Sequence, residues 1–312
     1  MQESRSAGFG RFLAIRARWA APRFWLGPSV AVLCGAIAGN GLRLEAAALT
    51  RLVLTILLAD GIWGALWREA RSAVSVFYGA APLRLRVYPR PPYATAGSAA
   101  DRWSRWVAER RRRWERAPME GRDALLGIGV LGLASLALGV LLGPGPLLIT
   151  LAAGLILLLS LARSFRGGAP RIALHALYSG GLAWVLGFAI SSPGGGLFDP
   201  DSPAALPRLA EIWGWTIVWA GVFTATLYGS RQLAQGEDEQ GFGFLVGGQA
   251  AGAVALLAGR QPLLAGAVGL LLVPQLLLRP ALLRGRGGPW YLSRVRVYPV
   301  VSMLAGAVAV AS

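Results

Sequence analysis

Nine stretches of this chain are apolar for about as long as a bilayer core is thick, and that pattern limits the fold more than any single motif. Crossing hydrocarbon takes about 20 mostly apolar residues in an α-helix, because every backbone N–H and C=O must find its partner within the span. The stretches are 23–40, 46–67, 123–142, 145–163, 171–191, 206–230, 243–259, 262–279 and 294–312. They predict an all-α, polytopic integral membrane protein with about nine transmembrane helices. The stretch at 243–259, rich in Gly and Ala, is the weakest. Composition agrees with the pattern: the chain is 55 % hydrophobic and 15 % charged, where a soluble domain carries about a quarter charged residues. Its 42 glycines suit helices that pack backbone to backbone in lipid. Tight turns at Gly143-Pro144 and Gly259-Arg260 predict helical hairpins from spans three and four and from spans seven and eight.

Arginine placement sets the orientation. The net charge is +16, and every basic residue is arginine. With the N-terminus inside, the inner segments are the tail up to Arg23, 68–122, 163–171, 231–242 and 279–296, and they hold 27 of the 31 arginines. Only Arg43, Arg51, Arg208 and Arg260 fall at or near the other face. The positive-inside rule then puts the N-terminus in the cytoplasm and the C-terminus outside, in the plasma (inner) membrane. Arginines distributed between apolar segments speak for topology and against a nucleic-acid partner. The first 23 residues are polar and basic, with no cleavage site before the next apolar stretch. The first span is therefore expected to act as an uncleaved anchor. The layout divides into a cytoplasmic tail, 1–22, and a single nine-helix domain, 23–312, with an interfacial cytoplasmic loop at 68–122.

That loop has its own pattern. Asp101 to Arg116 reads DRWSRWVAERRRRWER. Trp103, Trp106, Val107 and Trp114 share one side of a helix and arginines fill the rest, as in an amphipathic helix lying on anionic lipid. Membrane anchoring is the plainer reading, and docking of a partner the other. Residues 73–89 are read as a second interfacial piece. Arg-Val-Tyr-Pro occurs at 86–89 and again at 296–299, both toward the inner face.

Ionisable residues within a span are functional candidates. Asp60 and Glu69 fall toward the inner end of span two, and Glu237, Asp238 and Glu239 follow span six at the same face. Glu211, near the outer end of span six, is close enough to reach the interface. Asp60 has two readings, a carboxylate paired with Arg68 or Arg71 and a functional group. The single Cys34 excludes an intrachain disulfide and a cysteine metal cluster, and reads as a buried small residue. The lone His175 reads as a packed histidine, with a pigment or haem ligand as the alternative. Gly248-xxx-Gly252 reads as a helix-packing face. There is no phosphate-binding glycine loop, no HExxH and no Ser-His-Asp set.

This layout resembles the UbiA superfamily of intramembrane prenyltransferases: nine spans, N-terminus inside, carboxylates after spans two and six, and a long inner loop between spans two and three. The family's NDxxDRxxD-like motif corresponds to the stretch Leu58–Arg71. Anchored on Arg68, its leading Asn becomes Trp63 and its carboxylate positions become Gly64, Trp67 and Arg71. Anchored on Gly61, Glu69 fills one acidic position. The family's YxxxDxxxDxxxG corresponds to Tyr228–Gly241, with the tyrosine kept, Gln232 and Gly236 in place of the aspartates, and the glycine one residue late. The resemblance implies that Mg²⁺ neutralises a prenyl diphosphate leaving group, since Mg²⁺ takes oxygen ligands and stabilises developing phosphate charge. It implies Asp60, Glu69 and Asp238 as catalytic carboxylates and Glu69, Glu237, Asp238 and Glu239 as metal ligands. Arg68, Arg163, Arg166, Arg171 and Tyr228 would be the substrate-binding set; the arginines of the 163–171 link also read as topology determinants. The degraded motifs predict a divergent member with an apolar intramembrane cavity for an isoprenoid, quinone or pigment tail and prenyl transfer lost or reduced. The alternatives are an active Mg²⁺-dependent prenyltransferase and a non-enzymatic subunit of a photosynthetic or respiratory membrane complex. A transporter ranks last, for lack of a charged relay or an inverted repeat.

Overall fold

The computed structural model of the protein describes residues 27–39, 45–78, 98–116, 119–161, 168–191 and 206–311. Every regular element among them is helical. Helix α1 spans Pro28–Ala38. Helix α2 (Ala46–Ile56) runs through a π-helical turn, Leu57–Ile62, into α3 (Trp63–Tyr78). Then come α4 (Ala99–Arg116), α5 (Met119–Leu142) and α6 (Pro144–Leu161). Helix α7 (Gly168–Ala176) passes through a second π turn, Leu177–Gly181, into α8 (Leu182–Ser191). Helix α9 covers Leu206–Ala234, α10 Asp238–Ala258 and α11 Pro262–Ala281. A third π segment, Leu282–Arg286, leads to α12 (Gly288–Val295) and α13 (Val297–Ala311).

Six of these runs are long and apolar enough to cross a membrane: Ala46–Arg71, Asp123–Leu142, Pro144–Leu161, Gly168–Ser191, Asp238–Ala258 and Pro262–Arg286. A seventh forms if α12 and α13, bent by 49°, make one span. The protein is thus a polytopic helical membrane protein, with fewer clear spans among its described residues than the nine expected. The difference has two sources. Helix α1 is apolar but only 11 residues long, about 17 Å at 1.5 Å per residue. Helix α9 has 29 residues, but Trp, Thr, Gly and Arg231 dilute its apolar character.

The expected inner loops are largely helical. The 68–122 loop contains the end of α3, all of α4 and the start of α5; the 73–89 piece is α3 as far as Tyr78, and the rest of it lies outside the described residues. The 231–242 loop shrinks to a turn. Gly236 takes a positive φ of 90°, Glu237 N–H donates to Gln232 C=O and Gly236 N–H to Leu233 C=O. This is the Schellman end of a helix, which satisfies the last carbonyls. The same motif closes α10, but there Arg260, at φ 60°, takes the left-handed position rather than Gly259. The Gly143-Pro144 turn is present as expected, with Gly143 at φ 118°.

Helices meet where glycine lets them. A Cβ on Gly35 of α1 would lie 2.0 Å from the Trp184 carbonyl oxygen, and one on Gly187 of α8 would lie 2.1 Å from that of Val32. The two backbones therefore touch. Gly229 of α9 and Gly241 of α10 make the equivalent crossing between those two helices. The expected packing role of Gly248 and Gly252 is met: Gly248 faces Thr226, and Gly252 faces Trp219 and Val222. Cys34 is fully buried in α1. The main core gathers α1, α3, α6, α8, α9 and α13 around Trp63, Trp184, Trp219 and Phe223. A smaller core at the α9–α10 turn holds Leu233, Phe242, Leu245, Leu282, Tyr291 and Val295.

Candidate functional site

The carboxylates that the sequence singles out lie in three separate places. Asp60 is in the first π turn, where it accepts a 2.6 Å hydrogen bond from Ser29 Oγ. Ser29 is in the first turn of α1, so the carboxylate sits at the positive end of that helix. Its partner is thus a serine, and the expected pairing with Arg68 or Arg71 is replaced by a helix-end contact. Glu69 lies half-buried on α3 over Gly127 of α5, where a Cβ would come 3.4 Å from its Cγ. It is close enough to Arg68 and to Asp123 of α5 for their charges to act on it. Asp123 was not singled out, because at the entry to an apolar stretch it reads as an interfacial residue.

Glu237, Asp238 and Glu239 open α10. Glu237 and Glu239 are exposed, and Oδ1 of Asp238 is buried with no hydrogen-bond partner. Three acids at a helix start are explained by the helix dipole. Helices α3 and α10 share no extensive interface. No group of three or more His, Cys, Asp or Glu side chains able to hold a metal ion occurs among the described residues. Glu69, Glu237, Asp238 and Glu239 therefore do not fit the multi-carboxylate Mg²⁺ site that the resemblance implies.

The substrate-binding set is also dispersed. Arg163 and Arg166 lie outside the described residues. Arg68 and Arg71 are exposed on α3, while Arg171 is half-buried on α7 and near enough to Arg71 for the two charges to interact. One turn along the same pair of helices, Trp67 stacks on His175 with ring centroids 4.5 Å apart and planes 6° apart. His175 is thus a packed histidine, as the plainer reading had it. Tyr178 extends the aromatic cluster, with its ring 5.1 Å from Trp67 and its hydroxyl donating to the Trp63 carbonyl. Trp63 in turn donates Nε1–H to Ser135 Oγ of α5 at 3.1 Å. Tyr228 accepts a 2.7 Å hydrogen bond from Gln232 Nε2, and its ring meets the edge of Phe244.

Three features escaped the sequence reading. First, Gln249 of α10 and Gln275 of α11, both almost fully buried, exchange amide hydrogen bonds of 2.9 Å in both directions. Ser302 of α13 donates to Gln249 Oε1, and the Tyr291 hydroxyl of α12 donates to the Gln275 carbonyl. This junction ties four helices together. Second, Arg231 of α9 reaches the second π turn, donating from Nη2 to Ser179 Oγ at 2.9 Å.

Third, an apolar groove of about 680 Å³ runs between α9 and α10. Its floor is made of small residues, among them Gly221, Ala225, Gly243, Gly247 and Ala251, with Phe244 and Gln240 toward one end. Cβ atoms added at Gly221, Gly243 or Gly247 would meet nothing within 4 Å. These glycines therefore form a channel, whereas Gly248, next in sequence, is packed against Thr226. The glycines were visible in the sequence, but nothing there separates one that packs from one that leaves space.

Comparison with protein-family models, curated proteins and solved structures finds no match to this chain.

Proposed function

We propose that the protein is a membrane-embedded binder of an isoprenoid, quinone or pigment tail, a divergent UbiA-like protein that no longer transfers prenyl groups. The observation that carries this reading is the groove between α9 and α10. Its volume, about 680 Å³, is within the range of small-molecule sites, and such sites are mostly apolar. A groove floored by glycine and alanine accepts a long, narrow, methyl-branched chain, because each missing side chain leaves room for a branch. The dispersed carboxylates support loss of transfer, since a diphosphate leaving group needs concentrated positive charge to neutralise it. The proposal includes nine crossings, with α1 and α9 as the two that composition alone does not mark. It also includes a cytoplasmic N-terminus, supported by the 27 inner arginines.

The test is to extract and identify the apolar molecules that copurify with the wild-type protein and with Gly247→Leu. A side chain at 247 starts from open space, since a Cβ there meets nothing within 4 Å, and 247 lines the groove, so the variant should fold and lose the ligand. A wild-type protein carrying no stoichiometric isoprenoid, quinone or pigment, or a Gly247→Leu protein retaining it in full, overturns the reading. Turnover of a labelled polyprenyl diphosphate with Mg²⁺ would restore the enzyme alternative.

A further inference from the structure

We infer that Arg231 and Ser179 form a binding site for an anionic oxygen, phosphate or carboxylate, inside the helix bundle and apart from the α9–α10 groove. Arg231 is about 120° round α9 from the groove residue Ala225, at about 100° of rotation per residue. It faces the π turn Leu177–Gly181, so this site does not depend on the groove reading.

The guanidinium is half-satisfied. Nη2 donates to Ser179 Oγ at 2.9 Å, and the Ser179 hydroxyl donates to the His175 carbonyl at 2.6 Å. The serine is thus held as an acceptor for the arginine. Nη1 is buried and has no hydrogen-bond partner, and among the described residues no carboxylate pairs with Arg231. A guanidinium nitrogen buried without a partner or counter-charge is costly, and in a membrane protein an intramembrane charge marks a functional site.

The plainer explanation is that Arg231, in the last turn of α9, caps its own helix. The Schellman turn removes that role, because Gln232 and Leu233 already receive the N–H groups of Gln235, Gly236 and Glu237. Ser230 directs its hydroxyl to the Leu227 carbonyl. The local backbone is built around the contact. Gly180 and Gly181 lie against Leu227, Phe223 and Thr224 of α9, and the widened π turn to which they belong also carries Ser179. π turns occur disproportionately at functional sites. Toward the start of α7, Arg71 and Arg171 place like charges near each other, which raises the local concentration of anions.

The anion has two possible sources, a bilayer lipid headgroup and a free phosphate. The purified full chain, in neutral maltoside micelles, is followed by thermal unfolding through tryptophan fluorescence. Titrations use sodium phosphate at constant ionic strength, dioctanoyl phosphatidic acid, and dioctanoylglycerol as the uncharged control. Wild type is expected to show a saturable rise in midpoint with phosphate or phosphatidic acid and none with dioctanoylglycerol. Response to phosphate assigns a free anion; response to phosphatidic acid alone assigns a headgroup. Arg231→Gln should bind at least tenfold more weakly and unfold no earlier than wild type without anion, because it removes an uncompensated charge. Ser179→Ala, which leaves the arginine in place, should weaken binding several-fold and serves if Arg231→Gln does not fold. Equal response in wild type and both variants, or no response in wild type to either anion, overturns the inference.

Discussion

Replacing Gly35 by alanine tests the architecture at its tightest point. Helices α1 and α8 cross with Gly35 over Trp184 and Gly187 over Val32. The new methyl would sit 2.0 Å from the Trp184 carbonyl oxygen and 2.8 Å from the Phe188 amide nitrogen. Both are backbone atoms, so no side chain can turn aside to make room. Restoring an ordinary contact of 3.4 Å moves the helices apart by about 1.4 Å, and a gap of 0.5–1 Å already forfeits a quarter to a half of each van der Waals well. The residues that lose contact are Ala31, Val32, Cys34, Trp184 and Leu186, all at 0 % exposure. That places the cost at the upper end of the range for overpacking, about 3 kcal/mol. Alanine's helix preference over glycine offsets up to about 1 kcal/mol. The expected net loss is about 2 kcal/mol. Gly154→Ala on α6 is the control, since a Cβ there meets nothing within 4 Å; it should be neutral or slightly stabilising. Reversible unfolding in mixed micelles, titrated with a denaturing detergent, measures both. If the two variants agree within about 0.5 kcal/mol, a difference of the size that independent sites leave on addition, α1 does not cross α8 in this register.

Other consequences follow from single contacts. Arg260→Gly relieves the only non-glycine residue at positive φ among the described residues and should stabilise the α10–α11 hairpin by about 0.5–1 kcal/mol; a lower midpoint would show that the side chain holds the turn. Gln249→Leu strands the Gln275 amide and should cost about 1–2 kcal/mol, whereas Gln249→Leu with Gln275→Leu should cost less than the sum of the two single changes; additivity would mean that the amides do not pair. Trp103 and Trp106, stacked at 4.9 Å and 65 % and 48 % exposed, should lie in the headgroup layer. Hydrogen exchange of 99–108 should then be slower in anionic than in zwitterionic nanodiscs, and the difference should vanish when both are replaced by serine; rates indifferent to lipid would place α4 off the membrane.

The membrane class and most helix positions were legible because they depend on quantities that sum over many residues. Twenty apolar residues give the same signal whatever their order. The hairpin turns at Gly143-Pro144 and Gly259-Arg260 were legible for a different reason, since a chain reversal between two apolar runs requires a left-handed residue. At the second turn the positive φ falls on Arg260, because the hydrogen bonds from Arg260 and Gln261 back to Leu257 and Leu256 fix the position by count from the helix end. The acidic residues were less legible. Asp60, Glu69 and the 237–239 acids are near the same membrane face by span counting, but depth is only one of three coordinates. Which helices adjoin one another decides whether side chains meet, and that depends on glycine contacts such as Gly35 with Trp184, where partners about 150 residues apart in sequence carry no mark of each other.

The first two π turns explain why side-chain direction was the hardest thing to read. Sequence analysis assigns faces by rotating about 100° per residue, and a π turn inserts one residue out of step. Beyond Leu57–Ile62 and beyond Leu177–Gly181 the helical faces are therefore rotated relative to those the period predicts. Asp60 and Ser179, two polar groups that engage residues of other helices, sit inside these turns rather than on a regular face. Ser29 and Arg231 reach them from α1 and α9. Ser179 Oγ, inside the 177–181 turn, is the acceptor for Nη2 of Arg231. The contact thus depends on the irregular turn, while the turn's glycines depend on close approach to Leu227 and Thr224. Backbone irregularity and polar contact specify each other here, and a reading that assumes a regular helix loses both together.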